Sequence, residues 1–190
     1  MEQDLLLKQT VEKVYDFLGD EIEDITVERA VLGLFFTGVK LKVGDGGLCF
    51  TPVKEIPEAV CCPSSARAMP MSGKLEGRSV KKYMEDIFSG NILRRTLGIA
   101  TLNALSSYCW KKGIKTDYEI IKSRDAFDDL IFKDGEKTVV IGALVPVLKT
   151  LIAGNHDFKV LEMDSKTLKG KELDHFAPSN EYPKYVPEAD

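Results

Sequence analysis

Gly142 and Glu162 stand twenty residues apart, each closing a β-rich run, "TVVI" before the glycine and "FKVLE" ending in the glutamate. That spacing suits a nucleotide site. A glycine lets a ligand approach the backbone, and a carboxylate one helix and one strand later accepts hydrogen bonds from ribose hydroxyls. The turn itself reads Gly142-Ala143-Leu144-Val145-Pro146. A dinucleotide fingerprint needs two further glycines, and bulky apolar residues take their places. Pro146 suits a first helical turn but removes one N–H donor from it. Leu144, Val147, Leu148, Leu151 and Ile152 follow at helical spacing, and Gly154-Asn155 ends them. Thr138 to Asp164 is therefore a β-α-β unit with parallel strands, and ligands of such sheets bind beyond the carboxyl ends of the strands.

A second chemistry is suggested by Cys61-Cys62, followed by Met69 and Met71 on the same proline-rich segment. Thiolate and thioether ligands suit soft metals. There is no C-x-x-C, however, and neither His156 nor His175 has a partner at ligand spacing. Adjacent residues of an extended segment also point apart. Buried thiols packing as small hydrophobes are the plainer reading. "GKLEGRS", residues 73–79, lacks the spacing of a phosphate loop, and Ser79 is better explained as a helix cap. Asn103 falls in the most apolar helical stretch, where an unpaired amide would cost about 1–3 kcal/mol. Its two readings are a bond to a neighbouring loop and a polar handle in a cleft. Arg94 and Arg95 are solvated surface charges or anion contacts. No Ser-His-Asp order stands out, and Asp128-Asp129 falls on a solvated helix face, so no reaction is assigned.

The elements that must position these groups follow from periodicity. Leu7, Val11, Val14, Tyr15 and Leu18 predict a helix over 4–18, stopped by Gly19. Residues 25–51 are β-rich, with a hairpin signal at Asp45-Gly46, and predict a three-stranded antiparallel meander. Residues 52–78 carry Pro52, Pro57, Pro63 and Pro70 and predict a long loop. Ser79 opens a helix with Val80, Tyr83, Met84, Ile87 and Phe88 on one face. Asn91 caps a second, "ILRRTLGIATLNALSSYCWKK", which is apolar nearly all round from Thr96 to Leu105 and so should be buried. Gly98, Ala100 and Ala104 would let it pack closely. "SRDAFDDLI" predicts a short helix. The order α, βββ, αα, βαβ gives an α/β protein in two parts: an α+β domain over 1–115 and a Rossmann-like α/β domain over 116–190.

Of the 190 residues, 44% are apolar, so a substantial core is expected. The net charge of −4 argues against a nucleic-acid partner. The opening "MEQDLLLKQT" lacks the basic and apolar regions of a signal peptide, and no run approaches the ~18 apolar residues of a membrane span. The expectation is a cytoplasmic protein with no membrane partner, whose four cysteines are thiols.

"VVIGALVPVLKTLIAGNHDFKVLEMD" resembles the Rossmann-like domain of a family of uncharacterised prokaryotic proteins named for heavy-metal chelation. "VGDGGLCFTP" and "RRTLGIATLNALSS" resemble that family's N-terminal domain, which has a fold like the N-terminal domain of enolase. The resemblance implies a ligand site in the cleft between the two domains, holding a heavy-metal ion or a metallated small molecule. The positions that carry it over are Gly142, Pro146 and Glu162 in one domain, and Gly46, Thr51, Pro52 and Asn103 in the other. Only two strands are found in the C-terminal part, where the family continues into more. The chain is therefore expected to be truncated, or its sheet to be completed by a partner in a homo-oligomer. Two alternatives stand beside chelation: an enzyme using an adenosine-containing nucleotide cofactor at the turn, and a non-catalytic subunit whose edge strand recruits a partner.

Overall fold

The structure is a computed structural model that describes residues 4–53, 70–118 and 121–190. Cys61, Cys62 and Met69 lie outside the described residues. The chain divides into two compact units, Met1–Asp117 and Tyr118–Asp190. Each combines helices with a three-stranded sheet, so the class is mixed α/β.

In the first unit, α1 (Leu5–Leu18) ends at Gly19, whose positive φ of 54° releases the chain from the helix. Three strands follow as an antiparallel meander: β1 (Val27–Leu32), β2 (Phe36–Leu41) and β3 (Gly46–Phe50). Phe36 pairs with Phe50, Gly38 with Leu48 and Lys40 with Gly46. The two-residue period of a strand sends Thr37, Val39 and Leu41 inward, where they are buried, and leaves Phe36, Gly38 and Lys40 on the opposite face. The inward face packs on α3 (Ile92–Lys111), which also carries α2 (Val80–Asp86) and α1. Both caps expected from sequence are present. Ser79 Oγ accepts the Lys81 N–H at 3.3 Å, and Asn91 Oδ1 accepts the Arg94 N–H at 3.0 Å.

Two glycines set how closely α3 is approached. A Cβ on Gly47 would lie 2.3 Å from both the Ala100 carbonyl oxygen and the Ala104 nitrogen. A Cβ on Gly98 would lie 2.6 Å from the Tyr83 carbonyl oxygen. Strand β3 and helix α2 therefore rest almost directly on the backbone of α3. Buried Asp45, in the turn between β2 and β3, fixes that hairpin to the same helix. It accepts the Ser107 hydroxyl at 2.9 Å and pairs with the Lys111 ammonium at 2.7 Å.

In the second unit, β4 (Lys137–Ile141), α4 (Val145–Ala153) and β5 (Asp157–Glu162) form the expected parallel β-α-β element. Val147, Leu148 and Leu151 of α4 bury against Val140, Phe158 and Val160. A third strand, β6 (Phe176–Pro178), pairs parallel with β5. This corrects the two-strand expectation: three residues bounded by a proline have too little length to show a period. The sheet order is β4-β5-β6. At the outer edge of β4, Lys137 donates its N–H to Asp190 Oδ2 at 2.9 Å and accepts the Asp190 N–H at 3.1 Å. The expected helix at "SRDAFDDLI" is a single 3₁₀ turn, Ala126–Asp129, capped by Asp125. Helix α5 (Tyr182–Tyr185) follows near the end of the chain. Among the described residues no helix is long and apolar enough to cross a membrane.

Candidate functional site

The turn from β4 into α4 is organised by one carboxylate. Glu162, the last residue of β5, reaches sideways to the end of β4. Its Oε2 accepts the Ala143 N–H at 3.0 Å, while Oε1 accepts the N–H groups of Met163 at 2.7 Å and Asp164 at 3.3 Å. A single side chain thus ties the carboxyl ends of two adjacent strands together, and sequence spacing had placed those two ends beside each other. Which donors the glutamate would meet could not be read from spacing, because its partners are all backbone groups.

The rest of the turn closes on itself. The Gly142 N–H continues the ladder to the Leu161 carbonyl at 2.9 Å. The Leu144 N–H bonds the Gly142 carbonyl and the Val145 N–H bonds the Ala143 carbonyl, each at 2.9 Å. Leu144, at φ −77° and ψ 73°, is the centre of an inverse γ-turn. Pro146 has no N–H to give. Five consecutive residues, Gly142 to Pro146, therefore leave no backbone donor for a ligand. A phosphate-binding turn needs the reverse, a row of free N–H groups at a helix N-terminus. Here an internal carboxylate already sits on the donor a phosphate would seek. Gly142 has φ +90°, which favours glycine, and no atom lies within 4 Å of where its Cβ would be. Met163, beside the turn, is 88% exposed.

The first unit does not gather its expected ligand residues in the same way. Gly46 lies on the outward face of the meander, in a groove of about 520 Å³ with Arg29, Val31, Gly38, Lys40 and Leu48. Thr51 is buried, and its hydroxyl pairs with that of Thr37 at 2.9 Å, so it serves the core rather than a ligand. Asn103 is exposed, which corrects the expectation of a buried amide. Its Nδ2 donates to the Leu48 carbonyl at 2.8 Å, fastening the free edge of β3 to α3. Pro52 is half-buried beside Thr51. Of the carried-over residues, only Gly142, Pro146 and Glu162 form one local arrangement.

The other candidates resolve into structural roles. Arg95 pairs with Asp4, and Arg94, half-exposed, approaches Asp86 at 3.8 Å. Met71 packs against the core of the first unit. His175 stacks on Phe158 at 3.8 Å with Nδ1 against the Phe158 carbonyl, and His156 leans on Phe132. Burial pushes the thiols of Cys49 and Cys109 above the usual thiol range, which keeps them protonated and poor as ligands. Among the described residues no three His, Cys, Asp or Glu side chains converge.

Comparison with known proteins gives two matching family profiles, DUF4213 over residues 15–106 and DUF364 over residues 125–190. Both carry the description "Putative heavy-metal chelation". No curated protein matches. Among solved structures, the chain is similar to a protein of unknown function of the DUF364 family from Pyrococcus horikoshii, with 21% identity and a TM-score of 0.64. It is also similar to a DUF364 protein of unknown function from Desulfitobacterium hafniense, with 17% identity and a TM-score of 0.57. Each comparison covers 98% of this chain but only 65% and 66% of the respective relatives, so the chain spans about two thirds of their length. At these identities the likeness is one of fold.

Proposed function

We propose that this chain, which belongs to the family described as "Putative heavy-metal chelation", binds a metal-bearing small molecule at the turn held by Glu162. The observation that carries this reading is electrostatic. The turn presents a carboxylate, and it offers no free N–H from Gly142 to Pro146. A carboxylate has about four lone-pair directions, of which three are used here, so one remains for a cation or a donor group. A bare ion would find no cage among the described residues, because no further acidic, thiol or imidazole ligands converge. A metal that arrives with its own organic ligands needs only one carboxylate from the protein, and that requirement the turn meets.

The adenosine-cofactor reading has the right spacing and the wrong turn. The one free lone-pair direction of Glu162 could accept a ribose hydroxyl, but a pyrophosphate would meet negative charge without compensating donors. The resemblance also implies a ligand held between two domains, with Gly46, Thr51, Pro52 and Asn103 carried over on the side of the first. We keep that as part of the proposal.

The test is thermal stabilisation of untagged protein by Zn²⁺, Cd²⁺ and Ni²⁺, each free and as its nitrilotriacetate complex. The expected outcome is a rise in Tm with a complexed metal that disappears in Glu162→Gln while the fold is kept. A Gly46→Leu variant extends the test to the first unit: reduced stabilisation supports a contact there, and unchanged stabilisation removes it.

A further inference from the structure

The two carboxylate oxygens of Glu162 are used unequally. Oε1 accepts two N–H groups, from Met163 at 2.7 Å and Asp164 at 3.3 Å, whereas Oε2 accepts one, from Ala143 at 3.0 Å. Each oxygen of an ionised carboxylate offers about two lone-pair directions. Oε1 is therefore filled, and the direction left over belongs to Oε2. A carboxylate that grips a metal through both oxygens needs a vacant direction on each, and Glu162 has none on Oε1.

The filling of Oε1 is built into the chain that follows β5. The Asp164 carbonyl accepts both the N–H of Thr167 at 3.0 Å and its hydroxyl at 2.8 Å. Asp164 Oδ1 accepts the Lys166 N–H at 3.0 Å, so the nearest other carboxylate in the sequence serves as a cap. The 3₁₀ turn Ser165–Thr167 held in this way leads into Leu168, which is buried in the core of the second unit. Drawing the Met163 and Asp164 N–H groups off Oε1 would mean unwinding that turn, at the loss of hydrogen bonds to a charged acceptor, the stronger kind. On the other side, the Gly142 N–H fixes the end of β4 to Leu161, and the next N–H, that of Ala143, holds Oε2 in place.

We infer that Glu162 is a monodentate ligand, acting through Oε2 alone, and that the molecule it takes is a metal complex with a single vacant coordination position. This rests on the reading that Glu162 binds a metal-bearing small molecule, and it adds the class of that molecule. A bare ion held by protein alone needs several ligands, and among the described residues no three His, Cys, Asp or Glu side chains converge. A complex with two vacancies would fill one from Oε2 and leave the other to water. A saturated complex would have no place for the carboxylate.

The test titrates the untagged full chain with three Ni²⁺ complexes. Nitrilotriacetate leaves two positions of six-coordinate Ni²⁺ vacant, ethylenediaminetriacetate leaves one, and ethylenediaminetetraacetate leaves none. The first two complexes carry the same net charge, so charge does not separate them. Their Kd values are expected to agree within about threefold, the second vacancy adding only a statistical factor, and the saturated complex is expected not to bind. If the nitrilotriacetate complex binds more than about tenfold tighter than the triacetate complex, a second protein ligand or both oxygens are in use. That result overturns the inference and leaves the metal-complex reading standing. Equal binding of the saturated complex also overturns it, because coordination would not be the contact. If none of the three binds, the reading itself fails and the inference with it. Glu162→Asp keeps the charge and loses one methylene of the reach to Ala143. It is expected to weaken the triacetate complex by at least about tenfold with an unchanged circular dichroism spectrum. Unchanged binding in that folded variant shows that charge alone suffices and overturns the inference. If the variant does not fold, the comparison of the three complexes on wild type decides.

Discussion

Adjacent glycines in this chain have different causes. Gly47 is required by contact: its Cβ would overlap two backbone atoms of α3. Gly46, one residue earlier, has only the Val39 carbonyl oxygen at an ordinary 3.5 Å. Gly47→Ala should therefore lower stability by about 3 kcal/mol, the upper end for overpacking against backbone that cannot yield. Gly46→Ala should stay within about 0.5 kcal/mol, as exposed substitutions usually do. Urea unfolding of the two variants checks the contrast, and equal losses would contradict it. In the sequence both glycines belong to one hairpin signal, because Ala100 and Ala104, which make Gly47 indispensable, are more than fifty residues away. The thiols give a second residue-scale prediction. Cys109 is buried and Cys49 half-buried, and both are held protonated by burial. A thiol reagent at neutral pH should modify Cys109 only after unfolding. Peptide mapping that finds Cys109 labelled promptly in the folded protein would contradict the packing of α3.

Among the elements, the helices were the most legible, since their apolar spacing and their Ser79 and Asn91 caps are local signals. The meander was legible for the same reason, from alternation and a turn at Asp45-Gly46. Strand β6 was not, because its position is dictated by β5 rather than by its own three residues. The contact between the turn after α1 and the end of α3 was equally invisible. There Glu21 bonds Lys112 and accepts the Tyr108 hydroxyl at 2.5 Å. The Lys112 ammonium, and then Tyr108, hold the Glu21 carboxyl below its ordinary value of 4.5. A depressed folded-state pKa stabilises above the unfolded value, and that contribution is lost as pH falls through the folded value. Glu21→Gln should therefore melt slightly below wild type at neutral pH, with the gap closing in acid. Exposure keeps the effect small. A gap that widens in acid would reverse the sign and contradict the contact.

For the molecule as a whole, the family and the mixed α/β class were legible from segments spread over both units. The chemistry of the site was legible only in part. Spacing identified Gly142 and Glu162 and suited a nucleotide, whereas a chelated metal was implied only by the family resemblance. The distinction lies in where the backbone N–H groups point, which no residue type records. Every donor from Gly142 to Val145 is engaged and Pro146 lacks one, which accords with the proposed ligand, a complexed metal with an open coordination position for the Glu162 carboxylate. The most direct measurement is the melting temperature of wild type and Glu162→Gln in parallel, with nitrilotriacetate complexes of Zn²⁺, Cd²⁺ and Ni²⁺ and with ADP and NAD. A metal complex should stabilise wild type alone, and the nucleotides neither. Stabilisation of wild type by a nucleotide, or of the variant by the metal complex as strongly as wild type, would contradict the account.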